Sequence, residues 1–151
     1  MPRRAFDVFH WGDAMADCEI SFDMSRLDFR ATSDLLMASY WGVGRTDETH
    51  RRAFANSLCA AAYIDGRQVG FGRAITDRTV FAYLADIIVW PDCRGQGIGL
   101  RLVRALIEHP EVKTVAHWSL STSDAHGVYE KLGFKPSTDG RYMRLDRVPA
   151  P

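Results

Sequence analysis

The sequence predicts an α+β fold in which a mixed, mostly antiparallel sheet is flanked by about four helices. Its hydrophobic residues change between the period of a strand and the period of a helix along the chain. The resulting order is strand, two helices, three antiparallel strands, helix, strand, helix and strand. With 151 residues, the chain fits one domain that can bury a core without metal or disulfides. We expect a loosely ordered arm over residues 1–17 and a single domain over residues 18–151.

Composition excludes several classes of protein. Nineteen basic residues balance nineteen acidic ones, so no overall field attracts nucleic acid or an anionic membrane. No apolar run approaches the roughly 20 residues that span a bilayer, and the first residues lack the apolar core of a secretion signal. The three cysteines suit neither a zinc site nor a disulfide framework. We therefore expect a cytoplasmic protein with no metal, no nucleic-acid partner and no membrane association.

The first half of the chain predicts one strand and two helices. Residues 18–24 alternate apolar and polar side chains, which is the period of a half-buried strand. Residues 25–41 place their apolar side chains at roughly helical spacing, and Gly42 and Gly44 end that helix. A second helix is expected over residues 47–58.

The middle of the chain predicts an antiparallel meander. The Asp65-Gly66 dipeptide suits the positive φ angles of a tight turn between two strands. Residues 79–90 are nearly all apolar, so this strand is expected to be covered on both faces at the centre of the sheet. A helix follows over about residues 97–109 and ends at Pro110. Its inward side chains are predicted to be Ile98, Leu102, Ala105 and Leu106.

The last third of the chain predicts strand, helix and strand. Residues 113–121 form the first of these strands, and a short helix follows with Ser123 as N-cap and Gly133 as C-cap. Residues 141–146 are expected to form the final strand.

The stretch from Trp90 to Leu100, WPDCRGQGIGL, has the pattern of an anion site. It lies between a central strand and a helix, where unpaired backbone N–H groups and the helix dipole favour negative charge. Glycines admit a phosphate closely, and Arg94 supplies formal charge, so a pyrophosphate fits. A nucleotide P-loop would need Gly-Lys-Ser/Thr, and a dinucleotide fingerprint needs glycine where Leu100 stands. A ligand-free helix start rich in turn residues is the alternative.

Two motifs in this chain resemble those of the Gcn5-related N-acetyltransferase (GNAT) superfamily. One runs from Ile87 to Pro91 and, after two further residues, reads Arg-Gly-Gln-Gly-Ile-Gly from Arg94 to Gly99, and the other comprises Ala125, Tyr129, Gly133 and Phe134. The resemblance covers residues 18–146. It implies acetyl-CoA as co-substrate, a primary amine of a small molecule or peptide as acceptor, and direct transfer in a ternary complex. The implied cofactor-binding residues are Ile87, Ile88, Val89, Arg94, Gly95, Gln96, Gly97, Ile98, Gly99, Leu100 and Thr122, the last standing where many relatives carry asparagine.

Two residues are predicted to be catalytic. Tyr129 matches the family's general acid, since a phenol of pKa about 10 can protonate the departing thiolate; packing on the core is its alternative. Asp86 is an acid in an apolar strand, which is costly unless it is paired. Burial would raise its pKa towards that of a base, and we expect its side chain to share a face with Leu84 and Ile88. It is a base, an anchor for a cationic amine, or a structural residue bound to backbone N–H groups or an arginine.

The remaining candidates bind rather than react. The backbone N–H of Ile88 or Val89 is expected to receive the thioester oxygen, and a bulge would free such a donor. Tyr40 and Trp41 open the loop that lines the acceptor pocket in this fold, and they either contact the acceptor or pack on the core.

Several residues and functions are less favoured. His117 and His126 are more often surface or hydrogen-bonded histidines than acid–base groups, and Cys93 is not assigned as a nucleophile because the resemblance implies direct transfer. A CoA-binding sensor or regulatory domain without chemistry is the competing function. A longer acyl donor and a homodimer are both compatible with the sequence.

Overall fold

The computed structural model describes residues 17–147 of the chain. The predicted arm thus lies outside the described residues, apart from Asp17. The chain divides into two compact units, one reaching Ser121 and the other starting at Thr122, and a single domain over residues 18–151 stays a prediction. None of the helices within residues 17–147 is long and apolar enough to cross a bilayer.

The first unit is built on a five-stranded sheet with the order β1-β2-β3-β4-β5. Neighbouring strands are antiparallel, except that β4 and β5 are parallel. This confirms the predicted α+β fold with a mixed, mostly antiparallel sheet. The strands are β1 (Cys18–Ser21), β2 (Leu58–Ile64), β3 (Arg67–Thr76), β4 (Phe81–Val89) and β5 (His117–Ser119).

Two tight turns set the register of the meander. Asp65 and Gly66 have φ angles of 49° and 78°, which are the positive values of a type I′ hairpin turn. That prediction is confirmed. Between β3 and β4, the Asp77 carboxylate accepts N–H groups from Thr79, Val80 and Phe81.

Four α-helices accompany the sheet: α1 (Phe29–Ala38), α2 (Asp47–Ala55), α3 (Ile98–Ile107) and α4 (His126–Glu130). The helix expected over residues 25–41 is shorter, because the Asp28 carboxylate caps α1 by accepting the Ala31 N–H at 3.0 Å. One-turn 3-10 helices stand on either side, at Met24–Arg26 and Tyr40–Gly42.

Apolar side chains fill both faces of the sheet. The four inward residues predicted for α3 are at most 1% exposed. The glycines of β3 let this helix approach, because a Cβ at Gly70 would lie 3.0 Å from Leu102 Cδ1. The cluster that joins α1 and α2 to the sheet contains Leu36, Phe54, Cys59, Phe71, Ile88 and Trp90.

The C-terminal third differs most from the prediction. Strand β5 is shorter than residues 113–121, because the backbone of residues 109–115 is used in turns. Ser123 is not the N-cap of α4: the cap is Ala125, whose N–H is donated to Thr122 Oγ1 at 3.0 Å. Gly133 is not the C-cap either, because the cap is Lys131. Gly133, with φ 93°, lies two residues further on, in the turn where Phe134 N–H donates to the Tyr129 carbonyl.

The final strand predicted over residues 141–146 is wrong. These residues have no strand partner within the described chain, and a strand requires such a neighbour for its ladder of hydrogen bonds. Their apolar side chains are correspondingly exposed, and Met143 reaches 94%.

Candidate active site

A β-bulge interrupts β4 at its centre. Arg73 pairs with Ala85 and Phe71 pairs with Ile88, so two residues, Asp86 and Ile87, stand opposite a single residue of β3. Asp86 has a φ of 55°, in the left-handed region that a non-glycine residue adopts rarely and aspartate more readily than most. A bulge of the kind that would free a backbone N–H donor is therefore present next to Ile88.

The bulge changes which side chains share a face. Directly paired residues project to the same side of a sheet, so Ile88 lies on the face of Phe71, and Leu84 lies on the face of Ala74. Phe71 and Ala74 are three residues apart and point to opposite faces. The prediction that Asp86 shares a face with both Leu84 and Ile88 is wrong, because the extra residue shifts the alternation between them.

The other edge of β4 is open beside the bulge. Strand β5 pairs only with the first three residues of β4, from Phe81 to Tyr83. From Leu84 to Val89, alternate backbone N–H and C=O groups on this edge have no strand partner among residues 17–147. These residues include Ile87, Ile88 and Val89, so an extended amide-containing ligand can add to β4 here as a strand would.

Asp86 is at the centre of a buried polar network. Its side chain is 1% exposed. Oδ2 accepts a hydrogen bond from Arg73 Nε at 2.7 Å, while Oδ1 accepts from Arg45 Nη1 at 2.8 Å and Trp41 Nε1 at 3.1 Å. Arg73 in turn donates from Nη1 to Ser57 Oγ. We call Asp86, Arg73, Arg45 and Trp41 the Asp86 network.

The network keeps Asp86 ionised. Burial raises the pKa of this carboxyl, but the hydrogen bonds and charges of Arg73 and Arg45 outweigh burial, and the pKa lies below its ordinary value. The prediction of a raised pKa is therefore wrong. Three strong donors already occupy the two oxygens, so a base or an ammonium anchor is a poor description of Asp86.

The loop between α1 and α2 supplies half of this network. Its 3-10 turn, Tyr40–Gly42, places the Trp41 indole N–H on Asp86. The rings of Tyr40 and Trp41 meet edge to face with centroids 5.0 Å apart, and the residues are 55% and 38% exposed. Trp41 is therefore neither a core side chain nor a free surface one, because its polar edge is held and part of its ring is accessible.

The loop of residues 94–99, which we call the glycine loop, has the geometry of an anion-binding site. Gly95 and Gly97 have φ angles of 78° and 77°, which glycine adopts without strain. A Cβ at either position would meet no atom within 4 Å, so the space in front of both is open. Gly97 is the N-cap of α3 and offers no side-chain acceptor. The first N–H groups of that helix are left for a ligand.

Side chains divide the loop into an exposed part and a buried part. Arg94, Gly95 and Gln96 are exposed, and Arg94 Nε donates to the Val89 carbonyl at 3.1 Å. Ile98 and Leu100 are 1% and 5% exposed. Only their backbone N–H groups can contact a phosphate, while their side chains fix the start of α3 to the core.

The second unit contains the other two predicted site residues. Tyr129 lies on α4, half-buried, with its ring edge to face with Phe134 at 6.0 Å. Thr122 precedes the helix, and its hydroxyl oxygen accepts the N–H groups of Asp124 and Ala125. The hydroxyl proton can still be donated.

The less favoured candidates belong to neither the Asp86 network nor the glycine loop. His117 and His126 are exposed. Cys93 is buried beside Arg67, and the Trp118 indole donates to the Val115 carbonyl. Trp90 is part of the core cluster.

Sequence reasoning missed Arg73 and Arg45. Arg73 had a signal: it is the one charge in the run from Val69 to Ile75, and Arg73 and Asp86 lie four and six residues from the turn at residues 77–80. Hairpin pairing thus predicts that they are neighbours. Arg45 had none, because a loop residue's partner does not follow from spacing.

A family model for the acetyltransferase (GNAT) domain matches residues 55–136, which is more than half of the chain and includes β4, the glycine loop and α4. The chain belongs to this family.

Similar proteins and solved structures agree with this family assignment. Serotonin N-acetyltransferase 2 of Oryza sativa, a chloroplastic enzyme, is 32% identical over 101 residues, covering 63% of this chain and 50% of its own length. An uncharacterised N-acetyltransferase of Pyropia yezoensis is 32% identical over 87 residues, covering 56% of this chain and 49% of its own. The chain thus spans about half the length of these curated relatives.

A GNAT-family acetyltransferase structure from Xanthomonas campestris has a TM-score of 0.81 at 36% identity and covers 88% of this chain and 94% of its own. An acetyltransferase structure from Clostridium acetobutylicum, determined with acetyl-CoA, shares the fold with a TM-score of 0.64 at 17% identity, covering 85% of this chain and 94% of its own.

Replacement of Asp86 by asparagine tests the network. At pH 7 we expect Asp86→Asn to lower the free energy of unfolding in urea by about 3 to 5 kcal/mol, because it leaves two arginines without their buried partner. A carboxyl with a depressed pKa stabilises the fold above its unfolded pKa and loses that contribution as pH falls through the folded value. The deficit should therefore shrink below about pH 4.

The control is Asp34→Asn, which breaks a pair with Arg30 whose side chains are 55% and 60% exposed. It should cost at most about 1 kcal/mol. An Asp86→Asn deficit that grows as the pH falls would contradict the depressed pKa.

Proposed function

We propose that this chain is an acyl-CoA-dependent N-acetyltransferase, which moves an acetyl group from acetyl-CoA to a primary amine of a small molecule or peptide. Transfer is direct, in a ternary complex. The observation that carries the proposal is the continuity of β4 and α3: a bulged strand with an open edge leads within a few residues into a glycine loop with unused N–H groups.

Acetyl-CoA has two parts that this arrangement can bind, a pyrophosphate and a pantetheine arm. Its pyrophosphate requires closely spaced donors and positive charge, which the N–H groups of residues 95–100 and the exposed Arg94 supply. Its pantetheine arm carries amides, which can pair with the open edge of β4 from Leu84 to Val89. The family motif implies that Thr122 contacts the same arm.

The thioester is polarised by the backbone of β4. In an acyl transfer, negative charge develops on the carbonyl oxygen, and a fixed N–H at hydrogen-bonding distance stabilises it. We assign this role to the N–H of Ile88 or Val89, on the strand edge that β5 leaves open. The bulge at Asp86 and Ile87 sets the direction of the following N–H groups.

Bond making and breaking then proceed as follows. The neutral amine nitrogen attacks the thioester carbon, the carbon–sulfur bond breaks, and the CoA sulfur leaves as a thiolate that takes a proton from the Tyr129 hydroxyl. The acetylated nitrogen loses its extra proton to solvent, and the Tyr129 phenolate regains a proton from solvent, so the residue returns to its starting state. Asp86 holds Trp41 and Arg45 of residues 39–46, the loop between α1 and α2 that we call the acceptor loop. It does not accept this proton, since its oxygens are occupied.

Cysteine chemistry and net charge support a proposal for the cellular compartment and the class of acceptor. Cys18, Cys59 and Cys93 are all unpaired and buried, which suits a reducing compartment such as the cytoplasm. Zero formal net charge favours a small acceptor over a nucleic acid. A homodimer is compatible with this compartment and with a small acceptor.

The glycine loop is tested by matched valine substitutions. Gly97 and Gly66 share nearly the same backbone conformation, with φ of 77° and 78°, and both have open space at the Cβ position. Valine costs each about 1 to 3 kcal/mol of backbone strain. We expect only Gly97→Val to lose acetyl-CoA affinity in calorimetric titration, because only there does the side chain enter the phosphate site. Equal affinities of the two variants would remove the loop from CoA binding.

The general acid is tested by Tyr129→Phe, with Tyr142→Phe as control because Tyr142 is 67% exposed. We expect Tyr129→Phe to lower kcat by about 10² to 10⁴-fold while acetyl-CoA affinity stays within twofold, as measured by thiol release and calorimetry. Unchanged turnover would exclude Tyr129 as the acid. A wild-type protein that binds acetyl-CoA and acetylates no amine would instead favour a sensor domain.

A further inference from the structure

We infer that the acceptor amine carries an anionic group, a carboxylate or a phosphate, and that Arg45 binds it. This inference rests on the proposed function, since it concerns the second substrate of the same site. It is carried by the contacts of Arg45, by the charge of the Asp86 network, and by the composition of the loop that holds both.

The guanidinium of Arg45 has N–H donors that make no hydrogen bond to the described residues. Of the five N–H groups of a guanidinium, Nη1 uses one on Asp86, and the Arg45 side chain makes no other hydrogen bond or ion pair to residues 17–147. Its side chain is 26% exposed, so the remaining donors are accessible while the bond to Asp86 fixes their direction. A guanidinium held in this way is preorganised for a second oxyanion, which it can bind through two parallel hydrogen bonds.

The network has an unbalanced positive charge. Arg45 and Arg73 contribute two positive charges and Asp86 one negative charge, which leaves one positive charge in a largely buried cluster. His50, which is fully buried on α2, does not add to it as a cation: burial and then the charge of Arg45 lower its pKa.

No neighbouring acid on the acceptor loop offsets this charge. Residues 39–46 contain no Asp or Glu. Asp47 comes next, and both of its carboxylate oxygens bind Arg30 at 2.6 Å, with Ser33 Oγ as a further donor. Asp47 is therefore paired with Arg30 and not with Arg45.

The same network disfavours a cationic acceptor. An ammonium group would need an unoccupied carboxylate, and both oxygens of Asp86 already accept from arginine. It would also lie beside a net positive charge, which repels it in a site of low dielectric constant. An acceptor whose amine is accompanied by a carboxylate or phosphate instead neutralises the cluster. The exposed faces of Tyr40 and Trp41 offer an apolar wall for the rest of the molecule.

The experiment compares amines that differ only in the anionic group. Phenylalanine against 2-phenylethylamine tests a carboxylate, and glucosamine 6-phosphate against glucosamine tests a phosphate. Wild type, Arg45→Gln, Arg45→Lys and the exposed-residue control Arg52→Gln are assayed for kcat/KM by thiol release, each at equal free-amine concentration. The same amines are titrated calorimetrically into the protein alone, so that binding is read without acetyl-CoA.

In wild type and Arg52→Gln we expect the anionic member of at least one pair to be favoured about 10- to 100-fold, the range of a hydrogen-bonded charge pair. Arg45→Gln should bring the ratio of the two kcat/KM values towards one by raising KM for the anionic amine. Arg45→Lys should keep part of the preference. The pair that shows the effect identifies the carboxylate or the phosphate.

Preference for the uncharged member, equal ratios in wild type and Arg45→Gln, or no binding of either anionic amine would overturn the inference. The proposed function fails separately, by absence of acetyl-CoA binding. A protein that binds acetyl-CoA and prefers 2-phenylethylamine keeps the function and loses the inference.

Discussion

The ion pair between Asp86 and Arg73 is the interaction on which the rest of the site depends. Both residues are buried, and their atoms meet at 2.7 Å across the β3–β4 hairpin. Burying two charges costs several kcal/mol per ion, and their attraction offsets this cost only with good geometry and additional hydrogen bonds. Here Arg45, Trp41 and Ser57 supply those bonds. The pair is therefore explained better by the arrangement it enforces than by a gain in stability.

That arrangement joins two parts of the site that would otherwise be independent. Asp86 adopts a positive φ at the bulge, and the bulge sets the backbone that follows as far as the glycine loop. The same carboxylate holds Trp41 and Arg45 of the loop between α1 and α2. One side chain thus fixes both the proposed thioester site and the proposed acceptor site. Its low pKa follows from this use, because a carboxylate that anchors two arginines must stay ionised.

Much of the fold was predictable because its signals are local. The Asp65-Gly66 turn, the inward residues of α3 and the glycine start of that helix each follow from a few neighbouring residues. The errors have non-local causes. The final strand predicted over residues 141–146 has no neighbour within residues 17–147 with which to pair. The face of Leu84 was assigned wrongly because a bulge is one extra residue, which strict alternation does not reveal.

For the site, sequence motifs supplied the glycine loop and Tyr129 as candidates, but they did not reveal the ionisation state of Asp86. An acid in an apolar strand indicates either a base or an ion pair, and which of them applies depends on partners 13 and 41 residues away. The acceptor loop illustrates the same limit. Its aromatic residues are visible in the sequence, whereas the bond that fixes Trp41 arises only when α1 and α2 pack on the sheet.

The measurement that tests the central claim most directly is calorimetric titration of the purified protein with acetyl-CoA, with NADH and ATP titrated separately. All three carry an adenosine linked to a pyrophosphate, and only acetyl-CoA carries a pantetheine arm for the open edge of β4. The account predicts saturable one-to-one binding of acetyl-CoA and markedly weaker binding of the other two. Equal binding of all three, or no binding of acetyl-CoA, would contradict it.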